Sequence, residues 1–525
     1  MINVWTMCNE HKLHPVMLAG TGSDVGKSVL AAAFCRIFKQ DGYTPAPFKA
    51  QNMALNSFAT PEGLEIGRAQ AVQAEAAGVA CHTDMNPLLL KPQSDMTCQV
   101  VLNGKPVGNR SASEFFRKEG REQLRREVCA AFDRLAQRFN PVVMEGAGSL
   151  AEINLRDVDL VNLSMALHAG ADVFLVGDID RGGVFASVYG SLMLLRPEER
   201  RCVKGILINK FRGDIRLFED GVKMLEELCG IPVLGVIPYL KEVHIDEEDS
   251  VVLAEKSLRW EQGRVNVAVV LLRHLSNFTD FNRLERDPRV HLFYTHSPEE
   301  VEKADIILLP GSKSTIDDLE ELRRSGVAQA ILRAHHQGAT VMGICGGYQM
   351  MGELLLDPHH VEGEVEQMPG LGLLPVVTEL QGEKVTRQVK CHLVDELLTL
   401  QEPPHQQEGL SKPDSLPMME GYEIHMGVTT PAGNAAPQPL LRLADGTPDG
   451  YRQSPTCMGT YLHGILDNDR FIDYLLEPHR HKVKERVEAF DYHQYKEEQY
   501  NLLADHVRQH VNMPLVYHIL TQDHD

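Results

Sequence analysis

The stretch Val16-Met-Leu-Ala-Gly-Thr-Gly-Ser-Asp-Val-Gly-Lys-Ser28 is followed at once by Val-Leu-Ala-Ala-Ala-Phe and decides the fold of the first half of the chain. Residues 16–19 form an apolar run typical of a buried strand, and the alanine-rich segment after Ser28 predicts a helix. A strand, a glycine-rich loop and a helix that opens on Lys-Ser are the context of a phosphate-binding loop. The sequence therefore predicts a nucleotide site at the end of the first strand of a parallel sheet.

Each residue type in this loop suits phosphate binding. Glycines let backbone N–H groups approach the phosphates, and the helix N-terminus adds a partial positive charge. We expect Lys27 to reach the β- and γ-phosphate oxygens and Ser28 to bind Mg²⁺. Thr21 stands where the general motif G-x-x-x-x-G-K-[ST] has its first glycine. The predicted nucleotide-binding residues are Gly20, Thr21, Gly22, Ser23, Asp24, Val25, Gly26, Lys27 and Ser28.

A carboxylate is expected beside this loop, because Mg²⁺ prefers oxygen ligands. The stretch Val142-Val-Met-Glu-Gly-Ala-Gly-Ser149 has Glu145 at the end of an apolar strand, before two glycines that allow close approach of the backbone to a ligand. We therefore predict that Ser28 and Glu145 hold the metal. The alternative for Glu145 is a surface carboxylate at a strand end.

Two doubly wound α/β domains are predicted, because short β-rich runs alternate twice with helical patterns. The first domain spans residues 15–240, with further strands at 173–177, 205–209 and 233–237 and a helix within 113–139. The second spans 265–477, with strands at 265–272, 306–310 and 340–344 and a helix at 316–335. We expect an acidic linker at 241–264, a surface excursion at 400–418 and a charged helical tail at 478–525, and residues 1–14 form an uninterpreted extension.

The composition excludes several classes of protein. Lys and Arg total 52 against 73 Asp and Glu, and the resulting net charge of −21 argues against a chain built to bind nucleic acid or an anionic membrane. No run of 18 apolar residues and no secretion signal occurs, so we expect a cytoplasmic protein without a membrane span. The ten cysteines form no C-x-x-C pair and no cluster at zinc spacing, which excludes a disulfide scaffold.

Cys345 is the exception among these cysteines. It lies in Gly343-Ile-Cys-Gly-Gly-Tyr-Gln-Met-Met-Gly352, between a predicted strand and a predicted helix, in the sharp turn of a nucleophile elbow. The helix N-terminus is expected to favour the reactive thiolate. We predict that the N–H groups of Gly346 and of Gly311, in Leu309-Pro-Gly-Ser-Lys-Ser-Thr315, stabilise an oxyanion.

A cysteine nucleophile needs a base. The best candidate among the 23 histidines is His463, because the apolar strand of Cys457-Met-Gly-Thr-Tyr-Leu-His-Gly464 ends at that residue and can direct its imidazole at the elbow. His425, in Glu420-Gly-Tyr-Glu-Ile-His-Met-Gly427, is a competitor.

These motifs resemble two enzyme families. The loop with Thr21 and the Glu-Gly-Ala-Gly sequence at 145–148 resemble the dethiobiotin synthetase group of P-loop enzymes, which phosphorylate a carboxylate or a carbamate. Gly-x-Cys-Gly-Gly, Pro-Gly-Ser and Tyr-Leu-His-Gly resemble class I glutamine amidotransferases, whose Cys–His pair releases ammonia from glutamine through a thioester. Those enzymes commonly carry a glutamate two residues after the histidine, where this chain has Ile465, so another group is expected to orient His463.

An ATP-dependent amide ligase follows from this pair of sites, with an acyl phosphate made in one domain and ammonia in the other. Four longer stretches, together with the Cys and His motifs, resemble the cobyric acid synthase family of the cobalamin pathway: 48–57, 145–155, 177–185 and 208–214. The resemblance implies ATP, Mg²⁺, glutamine and a corrinoid, adenosylcobyrinic acid a,c-diamide, amidated at its b, d, e and g carboxylates to cobyric acid. By the same resemblance Asn209 helps to hold the adenine. Arg156, Arg181 and Lys49 are candidates for gathering the substrate carboxylates.

Three other functions are weighed against this one. The related cobyrinic acid a,c-diamide synthases combine the same chemistries but act on other carboxylates. Partition-type ATPases carry a signature lysine early in the loop, where Gly22 stands here. A non-enzymic P-loop protein with a degenerate glutaminase-like domain conflicts with the intact Cys–His pair. The sequence leaves open whether the chain forms a homo-oligomer.

Overall fold

Alternate residues of the first strand pack into two different cores, because successive side chains of a strand point to opposite faces of its sheet. In the computed structural model, Val16 and Leu18 lie in one apolar cluster, and Met17 and Ala19 lie in another on the opposite face. The structure describes residues 12–93, 97–111, 121–240, 243–246, 261–395, 418–483 and 490–522. Within those residues, the first half of the chain forms a helix-covered parallel sheet, as predicted.

This sheet has the strand order β12-β11-β10-β1-β9-β2, and its neighbouring strands pair in parallel. The carboxyl ends of β1, β9 and β11 therefore meet at one edge. The strands are β1 (Val16–Gly20), β2 (Ala46–Phe48), β9 (Val142–Glu145), β10 (Asp172–Asp178), β11 (Val203–Phe211) and β12 (Val233–Pro238). The helices are α1 (Lys27–Gln40), α2 (Arg68–Ala77), α3 (Arg121–Arg138), α4 (Leu163–Ala169), α5 (Val184–Met193), α6 (Pro197–Cys202) and α7 (Glu219–Cys229).

A smaller sheet and a hairpin, which the sequence analysis did not predict, lie between β2 and α3 in the chain. The sheet has the order β3-β6-β7-β8, with strands β3 (Gln51–Met53), β6 (Leu88–Pro92), β7 (Thr97–Leu102) and β8 (Lys105–Ser111). The hairpin pairs β4 (Ser57–Ala59) with β5 (Glu65–Gly67). This hairpin contacts the second half of the chain.

The second half contains another parallel sheet, with the order β15-β13-β16-β18-β26 and an antiparallel edge strand, β25. Its strands are β13 (Val265–Val270), β15 (Val290–Thr295), β16 (Ile306–Leu309), β18 (Thr340–Ile344), β25 (Tyr451–Ser454) and β26 (Cys457–Thr460). Its helices are α8 (Asn282–Glu285), α9 (Pro298–Val301), α10 (Thr315–Arg324), α11 (Val327–His336), α12 (Gly346–Met350) and α13 (Asp469–Leu476). The two sheets confirm the predicted fold class.

A mixed sheet, also not predicted, covers the cysteine side of this second domain. It is built around the long antiparallel pair β21 (Val376–Leu393) and β22 (Met419–Pro431). Its other strands are β19 (Leu354–Leu356), β20 (Gln367–Pro369), β23 (Leu441–Leu443), β24 (Pro448–Asp449) and β27 (Leu462–His463), and β14 (Leu275–Ser276) pairs separately with β17 (Gly311–Ser312). Residues 396–417, which contain most of the predicted surface excursion, lie outside the described residues.

The C-terminal segment, predicted as a charged helical tail, contains α14 (Tyr492–His510) and α15 (Met513–Thr521). Both helices pack against the first domain: Leu503 and Val507 share an apolar cluster with Phe34 of α1. The guanidinium of Arg36 donates to Glu497 at 2.6 Å. The end of the chain therefore covers one face of the first sheet.

Two helix predictions differ in detail from the structure. The helix predicted at 316–335 is two helices, α10 and α11, because the chain turns at Gly326, whose φ of 85° favours glycine. Of the helix predicted within 113–139, α3 covers 121–138, and residues 112–120 lie outside the described residues. The predicted domain limits remain predictions. None of the described helices is long and apolar enough to cross a membrane.

Candidate active sites

The loop between β1 and α1 curls around its own lysine. Lys27 begins α1, and its ammonium donates to the carbonyl oxygens of Gly22 at 2.8 Å and Gly148 at 3.1 Å. A Cβ atom on Gly20 would lie 2.7 Å from the backbone oxygen of Gly22 and 2.8 Å from the same nitrogen, which favours glycine there. Burial lowers the pKa of Lys27 to about 8, against an opposing effect of Glu145. This amine is therefore held where phosphate oxygens would approach the loop.

Glu145 lies at the end of β9, next to the loop, and its carboxylate is buried. One oxygen accepts hydrogen bonds from Ser28 Oγ at 2.7 Å and Lys49 Nζ at 2.9 Å, and the other accepts from Gln73 at 2.7 Å. Burial alone would raise the pKa of Glu145, but the Lys49 ammonium and these hydrogen bonds lower it. The structure thus brings together the two predicted metal-binding residues, Ser28 and Glu145. The lowered pKa of Glu145 means that its carboxylate is ionised.

Asn209 lies on β11, and its amide donates to the carbonyl of Val25 at 2.9 Å. Gly26 has a φ of 96°, and a Cβ atom there would collide with the same amide. Asn209 is therefore packed against the base of the phosphate-binding loop.

Cys345 forms the predicted sharp turn. It joins β18 to α12 with φ 53° and ψ −111°, and a left-handed φ in a residue with a side chain marks a strained backbone. Its Sγ lies 3.5 Å from the carbonyl oxygen of Ile424. The turn can be this tight because Gly343 and Gly347 have no side chains. A Cβ atom at either position would clash with neighbouring backbone.

His463 lies at the end of β27 and is almost completely buried, with 1% of its surface exposed. Its Nδ1 hydrogen-bonds to Asp280 Oδ2 at 2.7 Å, and Cys345 hydrogen-bonds to the same ring. Burial would lower the pKa of His463, but the charges of Asp280 and Cys345 outweigh that effect and raise it. The arrangement Cys345–His463–Asp280 therefore favours a charged imidazolium beside the sulfur of Cys345.

Asp280 is the functional residue that the sequence analysis missed. It lies in the segment after β14, and its second oxygen accepts the Gly464 N–H at 3.0 Å. Only its place in the chain could have indicated it. Asp280 follows soon after the end of β13, and Gly311 and Cys345 follow the ends of β16 and β18 in the same parallel sheet. Asp280 therefore supplies the carboxylate beside His463, which Ile465 cannot supply.

The two predicted oxyanion glycines lie beside this triad. A Cβ atom on Gly311 would lie 3.2 Å from Cε1 of His463, and one on Gly346 would lie 2.8 Å from the Ser312 nitrogen. Gly346 is the first residue of α12, where backbone N–H groups have no acceptor within the helix. A side chain at either position would crowd the residues around the triad.

The hairpin of the first domain contacts residues of the second domain that adjoin the triad. The Ser57 N–H donates to Asn277 Oδ1 at 2.8 Å, three residues before Asp280. Phe58 packs on Tyr422 with 4.6 Å between ring centroids, and Tyr422 stacks on His463 at 5.3 Å. Lys384 of the second domain pairs with Glu65, which also binds Lys91 at 2.7 Å.

Comparisons with known proteins agree with this two-site arrangement. The model of the CobQ/CobB/MinD/ParA nucleotide binding domain matches residues 16–252, and that of the CobB/CobQ-like glutamine amidotransferase domain matches 266–471. Cobyric acid synthase of Bacteroides fragilis is 72% identical over 97% of this chain and 99% of its own. The enzymes of Phocaeicola vulgatus and Citrobacter koseri are 68% and 48% identical, again over 97% of this chain, and over 99% and 98% of their own.

The chain belongs to the cobyric acid synthase family. It is therefore an enzyme, a glutamine-dependent ligase with a P-loop nucleotide-binding domain and a glutamine amidotransferase domain, and its amidation reaction belongs to cobalamin biosynthesis. ATP and glutamine are the co-substrates that these two domains imply.

His425, the competing histidine in this member of the cobyric acid synthase family, is engaged elsewhere. Its Nδ1 hydrogen-bonds to the Gly427 carbonyl at 2.8 Å, and its ring stacks on Tyr461 at 3.8 Å. Burial lowers the pKa of His425 to about 4, which keeps the ring neutral. These contacts are those of a packing residue.

The three cations predicted to gather carboxylates lie in different surroundings. Lys49 is buried against Glu145. The Arg181 side chain is 67% exposed and lies 3.4 Å from Asp24 of the phosphate-binding loop. Arg156 donates to the Leu194 carbonyl at 2.7 Å and lies 3.5 Å from Glu199. The structure does not bring these three residues together.

Proposed function

We propose that the chain uses ATP to activate corrinoid carboxylates as acyl phosphates and converts them to amides with ammonia from glutamine. The substrate is adenosylcobyrinic acid a,c-diamide, amidated at its b, d, e and g positions to give cobyric acid. The observation that carries the proposal is the presence of two complete sites in one chain, Lys27–Ser28–Glu145 and Cys345–His463–Asp280. The alternative is cobyrinic acid a,c-diamide synthase, which would act on the a and c carboxylates.

The glutaminase half begins with the thiolate of Cys345. It attacks the amide carbon of glutamine, and the N–H groups of Gly346 and Gly311 stabilise the oxyanion. The His463 imidazolium gives its proton to the departing nitrogen, so the C–N bond breaks and ammonia leaves a thioester. Water then hydrolyses the thioester while His463 takes the proton, which releases glutamate. Asp280 stabilises the imidazolium and holds the ring at Nδ1.

The synthase half must make the carboxylate reactive, because a carboxylate repels ammonia and hydroxide is a poor leaving group. A carboxylate oxygen attacks the γ-phosphorus of ATP and ADP departs. Ammonia then attacks the acyl carbon and phosphate leaves. Lys27 and the loop N–H groups of residues 20–28 stabilise the charge on the transferred phosphoryl group. Asn209, beside the loop, helps to hold the adenine.

Mg²⁺ fits the residues beside the loop. Ser28 and Glu145 offer a hydroxyl and an ionised carboxylate 2.7 Å apart, and Mg²⁺ in nucleotide sites takes few protein ligands beside phosphates and water. When bound, the ion would neutralise charge on the β- and γ-phosphates. Because Lys49 and Gln73 hold the carboxylate in place, Glu145 keeps its orientation and its charge before nucleotide arrives. Since ATP and glutamine are cytoplasmic metabolites, we assign the reaction to the cytoplasm.

The test is mass spectrometry of the products formed from the a,c-diamide, ATP and amide-labelled glutamine. Four successive labelled amidations support the proposal. Product formation from cobyrinic acid with two labels, and none from the a,c-diamide, would support the alternative instead.

Two variants separate the half-reactions. Lys27→Ala should make no amide from glutamine or ammonium, because the phosphoryl group is no longer stabilised, but should still hydrolyse glutamine. Cys345→Ala should make none from glutamine yet use ammonium, better at higher pH where more of it is unprotonated. A Cys345→Ala variant that still uses glutamine would exclude the nucleophile assignment.

A further inference from the structure

A cavity of about 710 Å³ opens beside the phosphate-binding loop and has no part in the chemistry described above. Gly148 and Leu150 form part of its wall. The Gly148 carbonyl accepts from Lys27 at 3.1 Å, and the Leu150 N–H donates to the carbonyl of Gly20 at 3.0 Å. The cavity and the phosphate site therefore share one segment of backbone, so a ligand in the cavity lies next to the transferred phosphoryl group.

Arginines approach this cavity from three parts of the chain, although the protein has a net charge of −21. They are Arg121 and Arg125 of α3, Arg156 after β9, and Arg196 before α6. Arg125 and Arg196 are exposed, so their guanidinium groups are accessible from solvent. A guanidinium presents paired donors that match a carboxylate. The cavity therefore offers several binding positions for carboxylates, at separate points on its wall.

Carboxylates of the protein also line the cavity, and two of them are already engaged. Asp159 accepts the N–H groups of Val161 and Asn162 at 3.0 and 3.1 Å. Glu199 accepts the Arg196 N–H at 2.8 Å, as the cap of α6. Glu152 and Asp157 point to the same cavity and are exposed. Glu199 also lies 3.5 Å from the Arg156 guanidinium. The exposed arginines, Arg125 and Arg196, are therefore the ones best placed to bind carboxylates of a ligand.

The same region exposes apolar side chains. Leu155 and Leu167 line the cavity and are 40% and 47% exposed. Two nearby residues are also exposed: Ile153, two positions before Leu155, by 53%, and Leu194, whose carbonyl accepts from Arg156, by 50%. A group of large exposed apolar residues beside a polar cavity is typical of a binding site. The ligand that matches has an apolar body and several carboxylates at its edge.

Gln51 adds a position for a hydrogen-bond donor. The residue lines the cavity, and its Oε1 is buried and has no hydrogen-bond partner among the described residues. A buried acceptor without a partner is costly unless a ligand supplies one. An amide N–H of the ligand would satisfy it. A ligand with both carboxylates and amides at its edge would thus use every polar feature of the cavity.

We propose that this cavity binds the corrin ring, with the arginines holding carboxylates that await amidation and the apolar side chains covering the ring. The proposal rests on the proposed function, which supplies the corrinoid. Because the arginines are spread around the cavity, the ring can present one carboxylate after another to the phosphate while the others stay bound. Each amidation removes one charge, so affinity falls along the series and the fully amidated product is released.

Equilibrium binding tests this proposal without any turnover. We would titrate the enzyme, without glutamine or ATP, with cobyrinic acid a,c-diamide and with cobyric acid. Arg125→Ala and Arg196→Ala should each raise the Kd of the a,c-diamide about fivefold, and the double variant about 25-fold, because the sites are separate. The Kd of cobyric acid, which lacks the four carboxylates, should change less than about twofold.

Arg126→Ala and Arg201→Ala are matched controls. Arg126 lies on α3 next to Arg125, and Arg201 lies on α6, which begins after Arg196. Both are exposed, and neither lines the cavity. Neither control should change the Kd. If the wild type binds and amidates the a,c-diamide but the double variant binds it as tightly as the controls do, the cavity assignment is wrong and the proposed function stands. If the wild type neither binds nor amidates it, the proposed function itself fails, and this assignment with it.

Discussion

Asp280→Asn tests the triad most directly, because it keeps the shape of the side chain and removes only its charge. Asp280 and His463 are 3% and 1% exposed, so water cannot replace the lost carboxylate. The asparagine amide can also donate a hydrogen bond to Nδ1, which would stabilise the wrong tautomer of the ring. We expect the variant to fold and to lose most of its glutaminase activity.

The size of the loss follows from the geometry. The hydrogen bond from His463 to Asp280 is 2.7 Å long, and the two charge centres lie about 4 Å apart. At an effective dielectric constant of about 20, two unit charges at that separation attract each other by about 4 kcal/mol. Each 1.36 kcal/mol corresponds to a factor of ten in rate, so glutamine-dependent kcat should fall about 10³-fold.

The assay compares glutamine and ammonium as nitrogen sources under saturating ATP. Ammonium-dependent amidation should stay near the wild-type rate, because Asp280 bonds to His463 and Gly464 of its own domain and belongs to the other proposed site. Asp449→Asn is the matched control: Asp449 is a buried aspartate of the same domain that binds Thr460 and the Tyr461 N–H. If Asp280→Asn kept more than a tenth of wild-type glutaminase activity, the proposed role of this carboxylate would be refuted.

The pH profile gives an independent readout. A raised pKa keeps His463 charged through neutral pH, and the charge is lost as the pH rises through that pKa. Glutaminase activity of the wild type should therefore fall on the alkaline side, as His463 loses its charge. Removal of the Asp280 charge lowers the pKa of His463, so the alkaline fall should begin at lower pH in Asp280→Asn.

Three further predictions concern other contacts. Gly311→Ala should lower glutaminase activity at least tenfold without affecting ammonium-dependent synthesis, because its Cβ would crowd the imidazole of the triad. Lys49→Met should destabilise the fold by about 3–5 kcal/mol in denaturant unfolding, since it leaves Glu145 buried without its cation. Adding Glu145→Gln should restore that stability but not amide synthesis. Asn277→Gly keeps the left-handed backbone and removes the acceptor for the Ser57 N–H, so the melting temperature and the glutaminase rate should both fall.

Local patterns in the sequence predicted the parts of each site that one segment supplies. The phosphate-binding loop and the elbow at Cys345 each combine a strand, glycines and a helix within about a dozen residues, and the structure has them in that form. The buried strands were also predictable, because parallel strands covered on both faces are continuous apolar runs. Glu145 and His463 became candidate site residues because each ends such a run.

Partners supplied by distant segments were not predictable. Asp280 bonds to a histidine 183 residues away in the chain, and nothing around it in the sequence marks a catalytic role. Lys49 and Gln73 reach Glu145 from a strand end and a helix whose positions depend on the packing of the whole sheet. Strand β7 of the small sheet and strand β21 of the mixed sheet mix polar with apolar residues, so they lack the continuous apolar runs that mark the buried parallel strands.

The triad is held from both domains, which explains why its third member lies where it does. Asp280 follows Asn277, which adopts a left-handed conformation and accepts the Ser57 N–H of the first domain. On the other side of the ring, Phe58 presses Tyr422 onto His463. Both contacts come from one hairpin of the synthase domain, so docking of that hairpin fixes the carboxylate and the imidazole at once. A glutamate close to the histidine in sequence would orient the ring without any such contact. With Asp280 in that proposed role, the geometry of the glutaminase site depends on contacts from the domain that we propose consumes its ammonia.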